Sequence, residues 1–449
     1  MKSTQKAEKL DLFSFKTPQM RAFHLTWMTF FLCFFGWFGI APLMPIIREE
    51  LHLTKGQIGN IMIASIAMTI FARLLVGWIC DKIGPRITYS VLLLVGSFPV
   101  MMIGLSNSYE SFLIFRLAIG VIGAAFVITQ YHTSVMFAPN IVGTANATAA
   151  GWGNLGGGIT QMIMPLIFVG FVSLGFVNAD AWRYSMIVPG FALLIMSAVY
   201  YFYTQDFPQG NLSDLKKDPS FSIEKKKSTG NFKEVISDYR VWVLFLVYGC
   251  SFGIEITIDN IAALYFKDKF SLSLATAGLI AGLFGSMNIF ARALGGIASD
   301  KVNKKYGLKG RAFILGAFLF MEGLGIILFS QTTLLVWAVS LMILFALFVK
   351  MSNGATFSVV PFINQKSLGI VSGIVGAGGN VGAVFAGFVF KSESLSYDEG
   401  FFYIGMVVCL ISILAFFIKF PFVKQVEEKN YFVENKEKET IEETELVVQ

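Results

Sequence analysis

Twelve long apolar runs, laid almost end to end, constrain this chain more than any other feature of its sequence. A bilayer core about 30 Å thick requires roughly 20 apolar residues per crossing helix. Runs of that length occupy 23–46, 57–79, 87–105, 112–137, 142–172, 184–204, 241–266, 273–299, 311–330, 333–358, 367–390 and 401–420. The other lipid-crossing architecture, a closed barrel, needs short alternating strands, and these runs are long and continuously apolar. With 55% of 449 residues hydrophobic and 14% charged, a soluble fold would leave far more apolar surface than it could cover. The expectation is therefore an all-α membrane protein of twelve transmembrane helices.

The formal charge of +6 would suit nucleic acid or another anionic partner, but the placement of the charges excludes that reading. Alternate loops and both tails carry 25 of the 35 Lys and Arg residues, against 6 on the opposite side: Arg48, Lys55, Arg183, Lys267, Lys269 and Lys391. By the positive-inside rule the rich side is cytoplasmic, which places both termini and the 206–240 loop there, in a multi-pass protein of a bacterial-type inner membrane. The first 21 residues are charged and lack the apolar centre and cleavage site of a signal peptide, so the first span is expected to act as an uncleaved insertion signal. Cys33, Cys80, Cys250 and Cys409 lie in spans without paired spacing, and His24, His52 and His132 lack metal-ligand spacing, so neither a disulfide framework, a metal site nor a cofactor is expected.

A polar stretch after six spans, with Pro208, Gly210, Asp214 and the run Lys225, Lys226, Lys227, reads as a linker between two halves. The expected organisation is a six-helix bundle over 1–205, a cytoplasmic linker over 206–240, a second bundle over 241–420 and a charged tail over 421–449. An internal repeat supports it. FARLLVGWICDK (71–82) matches FARALGGIASDK (290–301) at seven of twelve positions, including Arg73/Arg292, Gly77/Gly296 and Asp81/Asp300. A weaker echo lays GTANATAAGWGNLG (143–156) on GIVSGIVGAGGNVG (369–382), aligning Gly153/Gly379, Asn154/Asn380 and Gly156/Gly382. Repeats in the same order, each with an even number of spans, imply two halves related by an axis along the membrane normal, the arrangement of rocking transporters.

The run from Gly77 through Asp81, Lys82 and Gly84 to Arg86 resembles the loop motif of the major facilitator superfamily, with a partial copy at Gly296. Gly77 would allow close helix approach, Asp81 would accept from a helix N-terminus, and the motif reads as a structural gate. Arg116, followed by Gly120 and Gly123, resembles a second superfamily helix motif with a structural or gating role.

Within the spans, Arg73 and Arg292 are the costly residues. An arginine at the centre of a membrane helix costs about 2.5–3.5 kcal/mol on the insertion scale, and two facing a common axis repel each other. Neither has an acid one helical turn away in sequence, the nearest being Asp81 and Asp300. An anion held between them relieves both costs, and a planar fork of donors suits a planar oxyanion better than an ammonium does. The clusters GWGNLGGG (151–158) and GAGGNVGA (376–383) bring Gly151, Gly153, Gly156, Gly376, Gly379 and Gly382 to bare helix faces, with Asn154 and Asn380 as hydrogen-bonding amides in the bilayer.

Together with the opening FFLCFFGWFGIAPLMP (30–45), these features resemble the nitrate/nitrite porter family of the major facilitator superfamily over nearly the whole chain. The resemblance implies a lipid-embedded secondary transporter of nitrate or nitrite working by alternating access, and a monomer is expected. It places the substrate arginines on Arg73 and Arg292, an asparagine contact on Asn154, the aromatic sandwich on Phe126 and Phe252, and a hydroxyl donor on Tyr248. Tyr248 and Phe252, one turn apart, share a helix face. Members of the family either co-transport protons or exchange nitrate for nitrite. Glu255 and Asp259, at i and i+4 just past Phe252, are candidate proton carriers; the alternative is that they pair with Lys350 or cap helix breaks, and Glu322 is a weaker candidate. Importing a monovalent anion against about 100 mV costs about 2.3 kcal/mol, which favours proton coupling. The rival readings are an organic-anion or phosphate-ester exchanger, an intramembrane enzyme and a nitrate-sensing receptor.

Overall fold

A computed structural model describes residues 5–138, 141–217, 232–364 and 368–420. The expected tail at 421–449 and the lysine run at 225–227 lie outside the described residues. The polypeptide crosses as twelve apolar helical spans: α1 Pro18–Glu50, α2 Lys55–Ile83, α3 Pro85–Leu105, α4 Tyr109–Met136, α5 Val142–Ser173, α6 Asn178–Tyr203, α7 Tyr239–Phe270, α8 Leu274–Tyr306, α9 Leu308–Ser330, α10 Leu335–Phe362, α11 Ile370–Lys391 and α12 Tyr397–Ala415. These are the twelve expected spans with their edges moved. α1 starts earlier, at Pro18, because Thr17 caps the Met20 amide and Pro18 suits a first helical turn. α8 runs on to Tyr306, where Gly307 at φ +64° ends it, carrying charged residues past the apolar run.

Packing repeats as the sequence does. α1 packs on α5 and α7 on α11; α3 packs on α6 and α9 on α12; α2 packs on α4 and α8 on α10. The two sets meet through α2 with α11 and α5 with α8, which are exchanged by the same repeat relation. Glycine makes these seams thin. An added Cβ at Gly156 would lie 2.2 Å from the Phe31 carbonyl oxygen, and one at Gly382 would lie 2.0 Å from that of Gly249. Between the halves, a Cβ on Gly285 would stand 2.2 Å from the Gly158 Cα. Such contacts allow backbones to approach closely in lipid, where apolar burial gives no drive for helices to associate.

Other expected packing roles are corrected. At Gly77 and Gly296 an added Cβ would meet only ordinary contacts, 3.5 Å to Val127 and 3.7 Å to Ser358. The tight position is the neighbouring Gly295, where an added Cβ would lie 2.1 Å from the Met351 carbonyl oxygen. Asp81 is exposed, and the carboxylate that reaches the α3 N-terminus is Asp206, whose Oδ1 accepts from the Arg86 amide at 2.8 Å. The second-half counterpart Asp300 accepts from Arg311 at 2.6 Å. Arg116 is buried and donates to the Trp37 carbonyl at 2.8 Å, tying α4 to α1.

The interface between the halves is closed on the face away from the linker. There Arg48 pairs with Asp268 at 2.5 Å and Lys267 with Glu49 at 3.3 Å, joining the ends of α1 and α7. Lys55 at the start of α2 donates to the Ser392 carbonyl after α11 at 2.8 Å. Among the described residues, every ion pair joining the two halves lies on this far face.

Candidate functional site

Two helices break where the site lies. α4 tightens into a 3₁₀ turn at Val121–Ala124, immediately before Phe126. α8 does so at Met287–Ile289, and Phe290, at φ −134° and ψ −31°, interrupts the helix just before Arg292. α2, by contrast, is one continuous helix through Arg73. The duplicated segment thus presents its two arginines from different backbones, and local 3₁₀ geometry inside a long helix commonly marks functional sites.

Each arginine sits over the ring of a predicted aromatic. The Arg73 guanidinium carbon is 5.4 Å from the Phe126 centroid and that of Arg292 is 5.8 Å from the Phe252 centroid. Cation–π attraction at such distances holds the forks without consuming their in-plane donors. Tyr248 stacks on Phe252 with centroids 5.1 Å apart and 7° between planes, and its phenol lies within electrostatic reach of both arginines. Phe30 of α1 backs Phe126 at 5.8 Å. With its amide oxygen facing the guanidinium, Asn154 accepts from Arg292 Nη1 at 3.0 Å and Nη2 at 3.2 Å. An N-half amide therefore meets a C-half arginine.

The two arginines are electrostatically unlike. Arg292 Nη2 donates to Glu255 at 3.1 Å, and Glu255 also accepts from Asn288 at 2.8 Å and Asn353 at 2.7 Å while pairing with Lys350 at 2.8 Å. Among the described residues no carboxylate lies within ion-pair distance of Arg73, and its Nε has no partner. As the sequence indicates, neither arginine has an acid one turn away on its own helix; the acid that meets Arg292 comes instead from α7. For Glu255 the alternative weighed from sequence, pairing with Lys350, is the one realised. Asp259, one turn further along, is buried with neither carboxylate oxygen hydrogen-bonded among the described residues.

The glycine clusters divide. Gly153 lets Phe30 close in, since a Cβ there would lie 1.9 Å from its ring, and Gly379 does the same for Phe252 at 2.5 Å. Gly151 is looser, since a Cβ there would lie 3.4 Å from the Asn288 carbonyl oxygen, and a Cβ at the buried Gly376 would meet nothing within 4 Å. Asn380, one turn beyond Gly376 on the same face, is buried with both amide atoms unpartnered. Open space beside Gly376 and an unsatisfied amide one turn on are what a ligand-facing surface would carry. Asn288 and Asn353 escaped the sequence reading; each is an amide in an apolar run, four residues before Arg292 and three after Lys350 respectively, and that spacing was the available signal.

Two pseudo-symmetric sets of helices, closed on one face and each contributing one half-buried arginine within electrostatic reach of Tyr248, have the architecture of a membrane transporter. Residues 26–387 match the Major Facilitator Superfamily. "High-affinity nitrate transporter 2.3" of Oryza sativa subsp. japonica is 39% identical over 426 residues, covering 93% of this chain and 81% of that protein. "High affinity nitrate transporter 2.5" of Arabidopsis thaliana is 40% identical over 438 residues, covering 95% and 87%. The "Nitrate/nitrite transporter NrtP" of Nostoc punctiforme is 28% identical, covering 91% and 94%. Among solved structures, a bacterial homolog of the human lysosomal transporter Spinster, inward-facing and unoccupied, superposes with a TM-score of 0.70 at 16% identity, covering 90% of this chain and 96% of that one. The nucleoside transporter NupG does so at 0.62 and 15%, covering 89% and 98%; at such identity both support the fold alone. The chain belongs to the major facilitator superfamily and, within it, to the nitrate/nitrite porter family.

Proposed function

We propose that this protein moves nitrate, and nitrite, across a plasma membrane by alternating access, with Arg73 and Arg292 as the anion clamp and protons as the driving ion. The observation that carries this reading is the pairing of each arginine with an aromatic face, Arg73 with Phe126 and Arg292 with Phe252, which leaves in-plane donors for a flat anion. Glu255 is shared between Arg292 and Lys350, whereas Arg73 has no carboxylate within ion-pair distance among the described residues, so the site keeps an excess of positive charge for a monovalent anion, with Arg73 as its least compensated cation. Asn154, Tyr248 and Asn380 supply neutral polar contacts, and the rings exclude water and bulky hydrated anions. The charge bias of the loops supports a cytoplasmic linker and termini, and Gly77, Asp81, Gly296 and Asp300 belong to the linker-side ends of α2 and α8.

In proteoliposomes, Arg73→Lys and Arg292→Lys should each abolish nitrate uptake while inserting normally. Replacing a charge-assisted fork by a point charge forfeits about 1.5–3 kcal/mol, roughly 10- to 150-fold in affinity. Normal uptake by either variant would refute the clamp. Competition by phosphate esters but not by nitrite would replace the substrate assignment with an organic-anion exchanger.

A further inference from the structure

The sequence offers Glu255 and Asp259 as equivalent proton carriers, and the structure separates them. Glu255 is surrounded by donors: Lys350, Arg292, Asn288 and Asn353 all reach its carboxylate. Four donors, two of them cationic, stabilise the ionised form, so Glu255 serves as a permanent counter-ion. Asp259 is also buried, at 2% exposure, but neither of its oxygens has a donor among the described residues. A buried carboxylate with no donor is costly when ionised and tolerable when protonated.

The location of Asp259 makes this useful. Its carboxylate faces the opposite half: a Cβ on Gly157 of α5 would lie 2.9 Å from Asp259 Oδ2, beside Phe34 of α1 at 3.6 Å. Gln161, one turn along α5, donates to the Asp259 carbonyl and so fixes the backbone across the interface without satisfying the side chain. The charged groups that act on Asp259 all belong to the C-half: Lys350 of α10 and Glu255 of α7 directly, with Arg292 of α8 and Glu322 of α9 grouped around the same cluster. α5 contains no charged residue along its length, and α1 has none between Arg21 and Arg48. Glu322 is equally buried and its oxygens are likewise without a hydrogen bond among the described residues, but the groups that act on it, Ser352, Lys350 and Glu255, all belong to its own half, and no added Cβ of the opposite half is found against it as Gly157's is against Asp259.

We propose that Asp259 is the proton-carrying carboxylate and that the far face closes over it only when it is neutral. This rests on the proton-coupled reading of the same site. With the halves parted on the far face, Asp259 takes a proton from water there; closure onto Gly157 and Phe34 then removes a neutral carboxyl from solvent. On the linker side, loss of the anion leaves three cations, Arg73, Arg292 and Lys350, with Glu255 as the one carboxylate in ion-pair contact with any of them among the described residues. That excess of positive charge expels the proton from Asp259 back to water, restoring the carboxylate. One anion and one proton then cross together, and Gly157 is required because any side chain there would strike the carboxyl.

The test compares two transport modes in proteoliposomes. Exchange of labelled nitrate at equal pH on both sides needs no net proton movement, whereas accumulation driven by a pH gradient does. Asp259→Asn, which mimics the neutral form, should retain exchange and lose gradient-driven accumulation, and Asp259→Glu should recover accumulation with a displaced pH profile. Gradient-driven accumulation by Asp259→Asn equal to wild type would overturn the assignment while leaving proton coupling intact. Nitrate uptake by the wild type without any proton movement would overturn the coupled reading itself. A hydrophobic carbodiimide, which modifies protonated buried carboxyls, provides a readout on the unmutated protein: mass spectrometry should locate label on Asp259 with yield falling as pH rises. Label on Glu255, or on neither of the two, would overturn the proposal.

Discussion

At the scale of single residues, the site is a balance between three cations and one fully engaged carboxylate. Lys350 is completely buried over the Phe284 ring, 4.4 Å from its centroid, and Glu255 is the acid in contact with it. Breaking such a pair strands the partner, which costs about 3–5 kcal/mol in proteins where it has been measured. Glu255→Gln and Lys350→Met should therefore each lower the stability of the detergent-solubilised protein by about that much. The double variant should fall short of the sum by about 0.5–3 kcal/mol, a coupling that a double-mutant cycle reads directly. Glu255→Gln should also change anion affinity, because it removes the neutralisation of Arg292 as well, whereas Lys350→Met leaves that contact in place. Additive effects would mean that the two residues are independent. The arginines were legible in the sequence because duplication put them at matching positions and lipid makes them expensive. Glu255 as the partner of Arg292 was not, since a residue's neighbours on other helices have no sequence spacing. The same applies to Asp206, which caps α3 from more than a hundred residues away in the role read onto Asp81.

At the scale of helices, the number of spans was written in hydropathy, but their irregularities were not. Nothing in residues 287–290 announces a 3₁₀ turn, which results from packing: Asn288 of that turn donates to Glu255 on α7. Glycine clusters signalled close approach but could not distinguish the seam at Gly156 and Gly382 from the open face at Gly376, because a bare helix face fits either a neighbouring backbone or a cavity. The two kinds of glycine predict different outcomes. Gly158→Val would drive a branched side chain into the Gly285 backbone, 2.6 Å from where its Cβ must lie, and so wedge α5 away from α8. We expect that variant to label faster at a cysteine introduced at Met162, with an impermeant thiol reagent applied from the far side, and to lose transport. Gly376→Ala meets no atom, so it should leave thermal stability unchanged while altering nitrate affinity by occupying space on the Asn380 face. Equal effects on stability would contradict the distinction.

At the scale of the whole molecule, the repeat visible in twelve residues of sequence governs how the halves meet. α2 against α11 and α5 against α8 are one contact seen twice, and the reciprocal pairs Arg48 with Asp268 and Glu49 with Lys267 close the far face where the corresponding ends of α1 and α7 come together. A latch that must open in every cycle cannot be strong. Arg48 and Asp268 remain 30% and 29% exposed, and pairs of that kind contribute about 0.2–1 kcal/mol, which bounds the shift in the open-to-closed ratio at about fivefold. Arg48→Glu should therefore move the far-face distance distribution, measured between spin labels on the two halves, modestly toward separation. Adding Asp268→Lys should restore it, because the reversed pair can form in the same place. Nitrate affinity at equilibrium should change no more than the conformational ratio does, since the latch touches neither Arg73 nor Arg292 and acts on the site only through the population of the closed state. A loss of binding much larger than the shift in distances would mean that these charges hold the site itself, and the two halves could not then be treated as rigid bodies rocking about it.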